Sequence, residues 1–337
     1  MPDSTSRVYY QNGSMNFPQP FYEKGSQMMS FIFKSDSKSL QTVCDNWLNL
    51  PTNNELYYQP LLPVVMVTFA NNKQSWPTTA PYDQWGVIPY QEVIFSIFVV
   101  RVKKLGEVWI AEHVSTLVPY IFVNDAIVMA NGREIYGMPK TFGMIQLPDS
   151  PLDPQKYFEL ATVSAATFKK GAPFSTLPIA SIGQTSTNDI PTKNEWTDIT
   201  SAAKALKNLI FGTEHIELPG LNLIIEIADL FLEKKIPFTA LRQVRSISSP
   251  EEAAYKAVIE FDSRMQNLNG GGLIKGTFQL KLPQNDLFPI ATDLGLTDGQ
   301  LAEAAFWIDW DFLFETGNEI WTTKEKSNFW QRLTQLF

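Results

Sequence analysis

Four apolar, β-branched and aromatic runs follow one another closely between residues 61 and 123. They are "LLPVVMVTFA" (61–70), "EVIFSIFVVRV" (92–102), "GEVWIAEHVST" (106–116) and "VPYIFV" (118–123). Short turn segments such as "KKLGE" separate them. Such residues suit a pleated, buried surface, and connections this short suit hairpins, so antiparallel strands are expected. Strands resume with "FTALRQVRSI", "AYKAVIEFDS", "GLIKGTFQLKLP" and "AEAAFWIDWDFLFET". The last alternates cleanly: Phe306, Ile308, Trp310, Phe312 and Phe314 share one face, and Asp309 and Asp311 face the other way. That aromatic stripe reads as core and not as the wall of a ligand site. In a chain of 337 residues, 44% hydrophobic and 18% charged, a sheet of this extent can bury a large interior.

Helical grammar is sparser. "SDSKSLQTVCDNWLNLP" offers Ser35, Asp36 or Ser37 as a cap, apolar residues at Leu40, Val43, Trp47 and Leu48, and Pro51 beyond its end. In "NDAIVMANGREI", Asn124 or Asp125 can cap a short helix, and Gly132 can end it or sit within it. Pro139 disfavours the α region at Met138, so Lys140 leaves that helix on a turn or at the start of a strand. A strand fits "YFELATVSAATFKK" (157–170), and residues 171–195 read as a loop. Segments 198–212 and 221–235 have helical spacing, the second with Leu223, Ile224, Ile227, Leu230 and Phe231 on one face. "NLNGGGLIKG" leads into a strand and reads as a hairpin turn. The expected organisation is a flexible arm over residues 1–20 and a single domain over 21–337, with 196–235 as a helical insertion.

Several function classes are excluded. A net charge of −8 argues against a nucleic-acid partner, which calls for a basic face. One cysteine, Cys44, allows no intrachain disulfide. The N-terminus is polar, without the apolar core of a signal peptide, and no run of about 18 apolar residues suggests a membrane span. A cytoplasmic protein is therefore expected. His113 and His215 are the two histidines; no G-x-S-x-G elbow, zinc-ligand spacing, P-loop or G-x-G-x-x-G motif is present. No metal and no cofactor is expected.

What remains is a lysine. Lys140 stands in "NGREIYGMPKTFG", among Ile135, Tyr136, Met138 and Phe142. Amine catalysis uses the neutral form, and an unshifted lysine, with a pKa near 10.4, is neutral to about one part in 2,500 at pH 7. An apolar pocket penalises the ammonium and so activates the amine. The alternative is that Lys140 snorkels from a turn and covers Met138 and Phe142.

"NDAIVMANGREIYGMPKTFG" resembles the signature of the acetoacetate decarboxylase family, in which the lysine after the proline forms the Schiff base; that lysine matches Lys140. "WGVIPYQEVIF" is similar to the family's Gly-x-x-Tyr-x-Glu segment, whose glutamate projects into the active site and matches Glu92. "ALRQVRSISSPEEAAYKAVIEF" and "FPIATDLGL…AAFWIDWDFLFETGNEIW" are similar to the C-terminal half of longer members. The resemblance implies an α+β fold: a large, mainly antiparallel, barrel- or cone-like sheet with peripheral helices, in a homo-oligomer. It implies a lyase: Lys140 forms an imine with a β-keto or other oxo acid, Glu92 assists, and carbon dioxide leaves through an enamine. Aldol condensation, dehydration or cyclisation on the same lysine, and a non-catalytic binding protein, are the alternatives. Thr141 stands where the decarboxylase has a second lysine. Its pocket arginine has no clear match: the corresponding region, "EKGSQ", has only Lys24, Lys34 aligns with a different basic residue, and a further glutamate falls near Thr68. Tyr90, Tyr136 and Met138 are candidates for the pocket wall. Arg133 and Glu134 either line the site or bracket the helix end to the barrel, and Glu92 has the alternative of a solvated strand end.

Overall fold

The structure, a computed structural model, describes residues 16–153, 156–186, 193–211 and 234–323. In chain order the strands are β1 (Phe21–Lys34), β2 (Tyr57–Pro60), β3 (Val64–Pro77), β4 (Ile88–Leu105), β5 (Val108–Val123), β6 (Lys140–Phe142) and β7 (Met144–Gln146). There follow β8 (Tyr157–Ser164), β9 (Ser175–Ser186), β10 (Lys235–Arg245), β11 (Ala253–Leu273), β12 (Thr277–Lys281), β13 (Ala304–Phe314) and β14 (Asn318–Thr322). The helices are α1 (Ser37–Cys44), α2 (Ala126–Asn131), α3 (Ile199–Phe211) and the single turn α4 (Ile290–Asp293).

Seven strands close a ring in the order β4-β3-β1-β13-β11-β10-β5, with β5 returning to β4. Six seams are antiparallel. The seventh, β10 on β5, is parallel and short, pairing Phe238 with Thr116 and Thr239 with Leu117. The sheet is therefore a mixed barrel, antiparallel in the main as expected. Beyond that seam the same edge of β5 takes up β6, also in parallel, at Ile121 to Val123. A second, antiparallel sheet, β12-β9-β8-β7, covers one side of the barrel.

Strand alternation divides the wall residues between two interiors. From β4, Val93, Phe95, Ile97 and Val99 point into a packed core between the barrel and the second sheet, where Phe31 and Phe69 meet Phe158. Glu92, Ile94, Ser96 and Phe98 point the other way, into the barrel. Both faces of the wall are covered, which is why these strands read as near-continuous apolar runs. Each fully buried aromatic or aliphatic side chain of the outer core contributes roughly 1.5–3 kcal/mol.

Several expectations need correction. Segments 106–116 and 118–123 form one strand, β5, carried across a register shift opposite Phe95 and Ile97. The strand expected over 157–170 stops at Ser164, and the expected loop over 171–195 contains β9, whose polar sequence hides it. Of the glycines of "NLNGGGLIKG", Gly270, Gly271 and Gly272 lie inside β11, and Gly276 alone stands in the connection to β12. A Cβ at Gly271 would stand 2.6 Å from the Trp196 ring, and one at Gly272 would stand 2.4 Å from the Lys193 carbonyl oxygen. The glycines let another segment lie on the strand. The helix expected over 198–212 is α3; the one over 221–235 lies outside the described residues except at its end, where Lys235 already opens β10. Of the arm over 1–20, residues 16–20 are described, and Asn16 is buried.

Candidate active site

The chain before Lys140 places it. The Asp125 carboxylate caps α2, accepting from the backbone N–H groups of Ile127 and Val128. A π-type turn over Gly132–Tyr136 prolongs the helix, and Gly137, at φ 74°, ends it in the left-handed region. A Cβ at Gly137 would also stand 2.5 Å from the backbone nitrogen of Arg242, so glycine is required twice over. After Pro139 the chain is extended, and Lys140 opens β6 beside Ile121. Its methylenes cross the bare backbone of Gly132, where an added Cβ would lie 2.4 Å from Cδ and 2.7 Å from Cε.

The lysine is 6% exposed. Its Nζ donates to Oε2 of Glu92 at 3.1 Å and lies 5.6 Å from the centre of the Tyr90 ring. Glu92 is 2% exposed; it pairs with Val123 of β5 on one side and Ala70 of β3 on the other. Beyond Tyr90 stands a second buried acid, Glu23 of β1, also 2% exposed. Its Oε1 accepts from the Ser75 hydroxyl at 2.7 Å and the Tyr90 hydroxyl at 3.1 Å. Its Oε2 has no hydrogen-bond partner among the described residues. Burial pushes the Glu23 carboxyl up to about 8; the Glu92 charge adds to that, and the Ser75 hydroxyl, Lys140 and Tyr90 oppose it. Burial, with the Glu23 charge next, also raises the phenols of Tyr90 and Tyr136, so both remain donors.

Lys140 and Met138 separate two cavities. The larger, about 170 Å³, is the barrel interior; Glu92, Ile94, Trp310 and Phe314 are among its walls. The smaller, about 40 Å³, is bounded by Glu23, Ser75, Tyr90, Asn131 and Tyr136. At ~10–15 Å³ per water it has room for a few waters beside the amine. Among the described residues no group of three or more His, Cys, Asp or Glu side chains is placed to hold a metal ion. A buried lysine in contact with one acidic side chain, with a second acid whose carboxyl is pushed up by burial nearby, is an arrangement suited to carbonyl and proton-transfer chemistry.

No family model matches the chain, and no curated protein matches its sequence. Solved structures do match its fold. Acetoacetate decarboxylase from Legionella pneumophila is 14% identical, with a TM-score of 0.58 over 94% of this chain and 95% of that one. The fold is that of acetoacetate decarboxylase. An acetoacetate decarboxylase-like enzyme from Sphingomonas wittichii RW1 is 13% identical, with a TM-score of 0.54 over 93% and 97% of the two chains. The enduracididine biosynthesis enzyme MppR, complexed with the condensation product of pyruvate and imidazole 4-carboxaldehyde, is 13% identical, with a TM-score of 0.53 over 91% and 92%.

On this acetoacetate decarboxylase-like barrel, Lys140, Glu92, Tyr90, Tyr136 and Met138 come together. Glu92 is buried on the lysine, not at a solvated strand end. Tyr136 donates to the Glu315 carbonyl at 3.2 Å and stacks obliquely on Phe261. Arg133 and Glu134 line neither cavity. Arg133 donates to the Lys140 carbonyl oxygen at 3.0 Å from an exposed position, and Glu134 accepts from Asn16. They bracket the helix end. Thr141 lines neither cavity, and Lys24 and Lys34 are exposed. Thr68 does face the large cavity, hydrogen-bonded to Ser30 at 2.8 Å. Two features escaped the sequence. Glu23 follows Phe21 by two residues on an inward face, a signal that the bulge after it obscures. The β13 stripe from Phe306 to Phe314 is core as expected, and it also lines the large cavity.

Proposed function

We propose that this chain is a Schiff-base lyase acting on an oxo acid, with Lys140 as the nucleophile. The observation that carries the proposal is the burial of the Lys140 amine between an apolar cavity and two carboxyl groups, with Glu92 in contact. Glu92 takes a proton from the ammonium, and the neutral amine adds to the substrate carbonyl. A C–N bond forms, and the carbonyl π pair becomes a hydroxyl on gaining a proton. Glu23, which holds a proton at neutral pH beside the small cavity, is placed to supply it through water. Loss of water leaves a protonated imine. In a β-oxo acid the C–C bond pair then flows into the imine, carbon dioxide departs and an enamine remains. Protonation at carbon and addition of water release the ketone and restore the amine. Apolar walls favour this direction, because they stabilise neutral carbon dioxide over a buried carboxylate. The same enamine can attack an aldehyde, and MppR, whose structure holds a condensation product of pyruvate, shares the fold.

Enamine formation exchanges α-hydrogens whatever the final reaction. Ketones and oxo acids incubated with the protein in D2O and followed by NMR are expected to lose α-protons faster than in buffer. Lys140→Met, with unchanged circular dichroism, is expected to abolish the gain. Exchange at the buffer rate with every ketone and oxo acid tried would leave the chain a binding protein.

A further inference from the structure

The large cavity, about 170 Å³, has room for a benzene-sized body, and its shape has a direction. Its β4 wall runs from Glu92, at the amine, through Ile94 and Ser96 to Phe98. Six residue steps cover about 20 Å of strand. At the end remote from Lys140, α3 closes the barrel, packing on Met66 and Phe306 and turning Ala202 and Leu206 toward the space. The walls between are almost wholly apolar. Two of their hydroxyls, Ser30 and Thr68, are hydrogen-bonded to each other, and Ser96 donates to the Met66 carbonyl. Among the described residues no arginine lines either cavity, and Lys140 is the cation beside Glu92. Lys234 and Lys235 border the space where β10 begins, and Lys235 lies 3.7 Å from Asp262. Among the described residues, the Lys140–Glu92 pair and the two bordering lysines are the charged groups on the lining.

We infer that the substrate is a carbonyl compound with an apolar body of about six carbons or one aromatic ring. Its carbonyl lies at Lys140 and its body extends down the barrel toward α3. This rests on the Schiff-base reading for the carbonyl end; the apolar end stands on the cavity. A dry apolar cavity of roughly 150 Å³ takes up a benzene-sized body, and this one is of that class. Walls of this kind gain from every methylene removed from water, and they penalise a charge placed among them. The β13 stripe is buried, as its alternation predicts, and the same residues also form the long wall of the binding space.

Two measurements on the wild-type chain test this. The first is borohydride trapping at Lys140 with 3-oxo acids from acetoacetate to 3-oxododecanoate, and with benzoylacetate, quantified by intact mass. Half-saturation is expected to fall about three- to fourfold per added methylene up to about nine carbons in all. The second is binding of the corresponding methyl ketones without borohydride, read from tryptophan fluorescence, since Trp310 lines the cavity. The same chain-length trend is expected. Ser96→Phe and, separately, Ala203→Phe are expected to lower the ratio of long-chain to short-chain binding at least tenfold. Trapping of acetoacetate with no gain for longer acids would overturn the inference and leave the Schiff-base reading standing. Chain-length-dependent binding without any adduct would keep the apolar-bodied ligand and remove the imine. Affinity flat with chain length in both measurements would overturn the inference outright.

Discussion

A carboxyl as deeply buried as that of Glu23 ties proton uptake to folding. Its folded value of about 8 stands above the ordinary 4.5, so between those pH values the folded chain holds a proton that the unfolded chain has released. Stability from this group is therefore complete below about 4.5 and is lost as pH rises through about 8, on the order of 4–5 kcal/mol across the window. Urea denaturation of the wild type and of Glu23→Gln from pH 5 to 9 is expected to show that loss in the wild type alone. Parallel curves would contradict it. At Glu92 the expectation is catalytic: Glu92→Gln slows α-proton exchange by about 10²–10⁴-fold, the usual worth of a positioned acid–base group. An unchanged rate would make Glu92 a bystander. The two acids differ in how readable they were. Glu92 stands near the start of β4 within a recognisable motif, whereas Glu23 sits in "FYEKGSQ" and gains meaning when β3 sets Ser75 and β4 sets Tyr90 against it.

The element that matters most is the short helix and turn from Asp125 to Gly137. The sequence made its start, its proline and its lysine legible. It did not distinguish the roles of the two glycines. Gly137 ends the helix, and Gly132 makes room for the Lys140 side chain. Gly132→Ala keeps allowed backbone angles but places a methyl where the lysine methylenes lie. It is expected to leave the melting temperature within a few degrees while lowering exchange and imine trapping at least tenfold. Trapping equal to wild type would show that Lys140 reaches the carbonyl by another path. Asp125→Ala removes the cap and is expected to cost about 1 kcal/mol by chemical denaturation. Elsewhere the elements were misread for local reasons. β9 is polar with a proline inside it, and β11 runs through three glycines because another segment lies against them.

For the whole molecule, the sequence yielded antiparallel sheet and the resemblance yielded a barrel. Closure itself depends on a contact far apart in the chain. The parallel seam between β5 and β10 is fastened by a buried hydrogen bond between the Ser115 and Thr239 hydroxyls at 2.7 Å. Thr239→Val strands the Ser115 hydroxyl, and a loss of about 1–3 kcal/mol is expected in denaturation, with faster amide exchange along that seam than along β1 and β3. Equal exchange along both would mean that closure does not rest there. Whether an apolar stripe faces a packed core or an open space was illegible for the same reason. β13 alternates identically in either case, and what lies opposite comes from five other strands and α3. The proposed chemistry rests on what the barrel encloses, the buried Lys140 amine beside Glu92. Incubation with acetoacetate and longer 3-oxo acids, reduction with borohydride and peptide mapping test it most directly. One covalent adduct per chain is expected, on Lys140, absent from Lys140→Met. No adduct with any oxo acid, or an adduct on another lysine, would contradict it.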